Sequence, residues 1–360
     1  MTRTYLDWNA TAPLRPEARK AMLLAMDVVG NPSSVHAEGR AAKAIIEAAR
    51  EQVAALVGAK PSQVIFTSGA TEANHLALAG DHGAIAVLAT EHESVLQAVP
   101  GAERVPVDRN GLIELSRIDA LKGQGLLAVQ LANSETGVVQ PLAEVAERAR
   151  RKGISVHCDA VQAAGKFAVD FAGLGLRSLS LSAHKFGGPK GVGALIVAEG
   201  ASVQPILQGG GQERRLRSGT ENVIGIAGFG AAAEAAKRGV TGFSLLRRLR
   251  DRLEFGIRQV APEAVIAGEA ADRLPNTSAI TVKGVSAETL VMALDLAGVA
   301  ISAGSACSSG KVGRSHVLAA MGLPGSAIRV STGWATSRDD IDSFLSAFAT
   351  AVGRISRAAA

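Results

Sequence analysis

At 360 residues and 47% apolar content the chain exceeds the usual size of a single hydrophobic core, so two lobes are expected. A net charge of +5 comes with only 3% aromatic residues, which leaves little to stack on bases and argues against direct binding of nucleic acid. Two cysteines exclude a disulfide framework and a CxxC zinc site, and the forty glycines follow no collagen-like period. The start of the chain lacks the apolar stretch of a signal peptide, and the longest apolar region, residues 290–301, is broken by Asp295 and Gly298, so a cytoplasmic chain with no metal and no membrane span is expected.

Taken along the chain, residues 63–67 read as a strand, followed by a turn from Ser68 to Asn74 that enters a helix with Ser68 or Thr71 as its cap. Further strands are predicted over 84–89, 126–131, 154–158, 178–182 and 193–197, with helical segments such as 141–152 between several of them. Strands alternating with helices imply an α/β lobe with a largely parallel sheet covered on both faces. In such sheets ligands bind beyond the carboxyl ends of the strands, and the polar clusters at 68–72, 92, 133–135, 159–162 and 182–185 all follow predicted strands.

After Gly239 the pattern changes to a Leu/Arg helix, strands near 264–266 and 278–282, a helix from Ser286 and a last helix from Ser337. This predicts a smaller α+β domain of 1–12 and 241–360 beside a large domain of 13–240, with no internal repeat. The cluster Arg247, Arg248, Arg250, Arg252 and Arg258 alternates with leucines at helical spacing and reads as a solvated helix face.

Two residues carry the chemistry. Lys185, in the run Ser182-Ala183-His184-Lys185-Phe186-Gly187-Gly188, offers an amine able to condense with an aldehyde, the way pyridoxal 5'-phosphate (PLP) is anchored, and Cys307, among glycines and serines, offers a mobile sulfur nucleophile. A PLP site also needs an acid beside the pyridine nitrogen, a surface against the ring and phosphate donors. Asp159 after its strand supplies the acid and His92 the surface and a proton carrier, while Ala70 and Thr71 at a helix start supply phosphate donors. A glycine-rich arch spans 208–214 and 217–220, and Arg329 is suited to clamp a substrate carboxylate bidentately.

These stretches resemble the cysteine desulfurases of the NifS/IscS type, within the class V aminotransferases. The resemblance runs over nearly the whole chain: Tyr5-Leu6-Asp7, Gly30-Asn31-Pro32-Ser33-Ser34-Val35-His36, Phe66-Thr67-Ser68-Gly69-Ala70-Thr71-Glu72, the Lys185 run, Arg217 to Thr220 and the Cys307 loop. It implies the PLP-dependent transferase fold type I, with a mainly parallel seven-stranded sheet. It implies that Lys185 carries PLP, that Asp159 meets the pyridine nitrogen and Gln162 the phenolic oxygen, and that His92 stacks on the ring. Ala70, Thr71, Ser182 and His184 would hold the phosphate, and Thr220 would reach the cofactor of a neighbouring subunit, making a homodimer. Asn31 and Arg329 match contacts to the substrate carboxylate, and Cys307 the residue that takes sulfur from L-cysteine and passes it to an acceptor protein, an iron–sulfur scaffold or a tRNA-thiolation protein.

The chain departs from the family pattern at Ser134, where an asparagine usually contacts PLP, at Trp8 and Ala12 in the opening motif, and at Trp334. Other readings on the same scaffold are a selenocysteine lyase, an aminotransferase indifferent to Cys307, and a non-enzymatic sulfur carrier. The joint presence of Lys185, Asp159 and His92 argues against the last, because a carrier has no need of an electron sink.

Overall fold

The computed structural model describes residues 3–123, 125–304, 315–323 and 325–359. Apolar runs without polar alternation become strands buried on both faces: Gly125–Gln130, Ile154–Asp159, Ser178–Ser182 and Gly193–Val197 are almost wholly inaccessible to solvent. They form the centre of a seven-stranded sheet in the order Val64–Thr67, Gly193–Val197, Ser178–Ser182, Ile154–Asp159, Gly125–Gln130, Ala84–Leu88, Glu103–Val105. Every neighbouring pair is parallel except those made by Gly193–Val197, which runs against both of its neighbours. The helices Pro16–Met26 and Ala37–Leu56 pack on Val223–Phe243, and residues from these helices and from the sheet share one large core.

A second core forms around a four-stranded antiparallel sheet, ordered Ser302–Ala303, Ile328–Ser331, Thr277–Thr281, Val265–Ile266. The helices Leu246–Val260, Ala287–Leu296 and Arg338–Ala359 supply Leu253, Ile257, Leu290, Leu294, Phe344 and Phe348 to it. The N-terminal strand Thr4–Tyr5 pairs in parallel with Val299–Ala300, and Leu6 is buried in this second core. The chain then crosses to the large sheet through Asn9, whose backbone N–H donates to Ser331 Oγ at 3.0 Å. Val317, Leu318, Met321 and Leu323, although late in the chain, pack into the larger core.

Two local expectations are corrected. The helix Ala70–Leu78 is capped neither by Ser68 nor by Thr71: its N-cap is Gly69, with no side-chain bond. The Ser68 N–H instead donates to Glu72 Oε2 at 2.7 Å, and a Cβ on Gly193 would lie 2.6 Å from the backbone of Gly69, so the helix start is pressed against the sheet and left open at its tip. The arginines of Leu246–Val260 are also more than a solvated face. Arg252 pairs with Asp342 of the last helix, Arg258 with Glu269, and Arg250 donates to the Leu274 carbonyl at 3.1 Å.

Candidate active site

The parallel strands end together, and their carboxyl ends open into a cavity of about 620 Å3. Gln130, Asp159 and Ser182 are the last residues of their strands and line it, as do His92, His184 and Lys185 from the loops that follow. Gly69, Ala70 and Thr71 bring the open start of the helix Ala70–Leu78 into the same wall. That start presents backbone N–H groups that no side chain caps, which suits a phosphate. His184 beside it accepts or donates through Nδ1 to Thr11 Oγ1 at 3.2 Å. Burial, with the nearby charges of Lys185 and Lys190, pushes His184 down to about 4, so at neutral pH it is an uncharged imidazole.

Lys185 lies in the short turn Ala183–Lys185 directly after the strand Ser178–Ser182, and its Nζ donates to the carbonyls of Asn9 at 2.8 Å and Ala10 at 3.1 Å. Asp159 is buried, and each oxygen has its own donor: Val161 N–H on Oδ1 at 3.0 Å and Asn74 Nδ2 on Oδ2 at 2.9 Å. Such a carboxylate keeps its orientation, as an acid facing a pyridine nitrogen must. Glu91 is fully buried nearby, and burial, then the charge of Asp159, push its carboxyl well up. His92 caps the helix Glu93–Leu96, its Nδ1 accepting from Ser94 N–H at 3.1 Å.

The opposite wall comes from the second sheet and the N-terminal crossing. Arg329 is 3% exposed, donates from Nη2 to Asp7 Oδ1 at 2.8 Å and from Nη1 to the Ser134 carbonyl at 3.3 Å, and its Nε finds no partner among the described residues. A guanidinium at a cavity wall suits a carboxylate ligand. Ser134 lines the cavity too, at the position where the family pattern has asparagine.

Three residues that sequence reasoning missed support the site: Asn9, which lines the cavity, and Lys166 and Asn74, which do not. Asn9 receives Lys166 Nζ on Oδ1 at 2.8 Å and donates to Thr277 Oγ1 at 2.9 Å, tying the crossing segment to both lobes. Lys166 also donates to Gln162 Oε1 at 2.7 Å while Gln162 Nε2 donates to the Asn9 carbonyl at 2.9 Å, so the Gln162 amide is held from both ends. Burial, then the charges of Lys185 and Arg329, push the Lys166 amine well down. The third is Asn74 beneath Asp159. A lone lysine in the apolar run Val161 to Val169 was the one available hint.

Lys185, His92, Ala70, Thr71, Ser134, Asp159, Gln162, Ser182, His184 and Arg329 are therefore brought to one cavity, whereas Asn31 and Thr220 do not line it. Asn31 is exposed, its Oδ1 accepting from Ser33 N–H at 2.9 Å, and Thr220 is exposed as well. Cys307 lies outside the described residues; Ser302 and Gly304, shortly before it, are described, and Ser302 lines the cavity. The departures Trp8 and Trp334 turn out to be one feature, edge-to-face with ring centroids 4.7 Å apart and the Arg15 guanidinium 3.8 Å over the Trp334 ring.

An amine, a carboxylate with both oxygens fixed, an aromatic imidazole and an uncapped helix start in one cavity fit the donor set that PLP requires. Residues 4–344 match the family model described as aminotransferase class V. A cysteine desulfurase of Cereibacter sphaeroides is 44% identical over 96% of this chain and 94% of its own length. The structure of a NifS-like protein from Rickettsia africae superimposes with a TM-score of 0.91 at 33% identity, covering 98% of this chain and 99% of that one. A structure of SspA in complex with cysteine has a TM-score of 0.78 at 29% identity, covering 91% and 98%.

Proposed function

The chain belongs to the class V aminotransferase family, and from that premise we propose that it is a PLP-dependent cysteine desulfurase that converts L-cysteine to L-alanine and leaves the sulfur as a persulfide on Cys307. The observation that carries the reading is the meeting of Lys185, Asp159 and His92 in one cavity with Arg329 opposite. When bound, PLP supplies the electron sink that makes proton loss at the substrate Cα accessible. Lys185 would hold the cofactor and move the α-proton, and Asp159 would pair with the ring nitrogen. Gln162 would meet the phenolic oxygen, while Ala70, Thr71, Ser182 and His184 would hold the phosphate. Arg329 would take the substrate carboxylate, and Asn31, which does not line this cavity, has no part in that contact here.

The Cys307 thiolate attacks the substrate sulfur, so that the C–S bond breaks as the S–S bond forms and the carbon collects a proton. His92 manages protons beside that sulfur. The division into a cofactor lobe of 13–240 and a small lobe of 1–12 with 241–360 fits the two separate cores, apart from the late residues that pack on the larger one. A homodimer is supported by the placement of Thr220 away from its own cavity and by the exposed apolar side chains Leu24, Met26, Val29 and Leu207. We place the enzyme in the cytoplasm, handing sulfur to an iron–sulfur scaffold or a tRNA-thiolation protein. No helix among the described residues is long and apolar enough to cross a membrane.

The test is purified protein with PLP, L-cysteine and a thiol reductant, following alanine and sulfide together. Equal production of both, lost in Lys185→Ala and in Cys307→Ala, is expected. Alanine formation that survives in Cys307→Ala would overturn the persulfide step, and retention of selenocysteine turnover alone in that variant would limit the thiol's role to sulfur.

A further inference from the structure

Beneath the cavity wall a single amide touches the supports of both ring partners. Asn74, the fifth residue of the helix Ala70–Leu78, is fully buried and uses all of its hydrogen-bonding capacity. Its Nδ2 donates to Asp159 Oδ2 at 2.9 Å and to Ser94 Oγ at 2.9 Å. Its Oδ1 accepts from Ser180 Oγ and faces His157 Nε2 at 3.1 Å. The amide cannot be turned over, because a flipped Oδ1 would face the Asp159 carboxylate with no proton between them.

We propose that Asn74 is a positioning residue that fixes two ring contacts at once, the rotamer of Asp159 directly and the tautomer of His92 through Ser94. Because Ser94 Oγ already accepts from Asn74, its own proton is free to point at His92 Nδ1, 2.8 Å away. The Ser94 backbone N–H points at the same nitrogen at 3.1 Å. Two donors on Nδ1 place the ring hydrogen of a neutral His92 on Nε2. The far end of the network is equally constrained. His157 Nδ1 lies 2.9 Å from Ser178 Oγ, and a proton given by that hydroxyl leaves Nε2–H to serve Asn74 Oδ1. Nothing in the network can reverse direction without leaving a buried donor or acceptor unmatched.

The inference rests on the PLP reading for the purpose of the two ring partners, so its test includes a readout that needs no cofactor. In apo-protein labelled with 15N-histidine, His92 should show an unprotonated Nδ1 and a protonated Nε2. Asn74→Ala should turn this into a mixture of tautomers and weaken PLP binding about tenfold, measured by titrating apo-protein with the cofactor. Ser94→Ala, which removes the hydroxyl donor and leaves the Ser94 N–H on Nδ1, should shift the tautomer in part and change PLP affinity less than about twofold. A merely structural amide would lower the melting temperature of Asn74→Ala and leave both readouts as in the wild type, and that result overturns the proposal. If Asn74→Ala does not fold, Ser94→Ala decides, since an unchanged His92 tautomer there removes the link. Failure of the wild type to bind PLP would instead sink the functional reading, while the apo-protein spectrum still reports on the network.

Discussion

The two walls of the cavity are built differently. On the large-sheet side Asp159, Ser94 and Asn74 are each held by partners within the wall itself, whereas on the small-sheet side Arg329 is anchored through two of its nitrogens and keeps Nε without a partner among the described residues. A wall whose groups are already locked can shape the electronics of a bound ring without reorganising, while a guanidinium at the cavity wall offers its charge to an anion that arrives. The first arrangement suits a resident cofactor and the second a substrate that comes and goes.

The sharpest way to break this contrast is on the locked side. On the proposed roles, Lys185→Ala would remove both the cofactor's attachment and the base and should lower alanine formation at least about a thousandfold, which single-turnover assays with added PLP would check. Asp159→Asn should lower kcat about a hundredfold and weaken PLP binding with KM for cysteine little changed, since it alters the ring's electronics and not the substrate contacts. Arg329→Lys should do the reverse, raising KM about thirtyfold while PLP affinity stays within about twofold, because a lysine cannot reproduce the guanidinium fork. If both variants moved the same parameter, the division of labour between the walls would be wrong.

The smallest effect concerns stability. Burial pushes His157 down to about 4 in the folded protein, so below the unfolded value near 6.5 the unfolded chain takes up a proton that the folded chain refuses. Stability from this group is complete above 6.5 and falls as the pH drops toward 4, with about 1 kcal/mol lost between pH 7 and 5.5. His184 acts with the same sign. Urea midpoints of the wild type and His157→Gln across that range would show a shallower slope in the variant.

Much of the fold was legible because buried parallel strands are apolar runs: 154–158, 178–182 and 193–197 are strands as read, and the polar residues after them do meet. The cap of the helix Ala70–Leu78 was misread because Ser68 and Thr71 are good caps by residue type, yet Glu72 takes the Ser68 N–H and close packing of Gly193 on Gly69 sets the chain path. Asn9, Asn74 and Lys166 were invisible for a related reason. An asparagine on a helix or in a loop looks the same in a sequence whether water or Asp159 receives its hydrogen bond.

The sequence by itself determined the strand and helix periodicities, the order of loops at the sheet's carboxyl end, and the chemical types of amine, acid, imidazole and thiol that the chain carries. Only the tertiary structure decided which of them touch. The deciding contacts join Asp7 to Arg329, Asn9 to Lys166 and Asn74 to Asp159, residues far apart in the chain. Such pairs form only once the sheet order and the two cores have excluded water, because in solvent each group would be hydrogen-bonded to water and none would prefer the other.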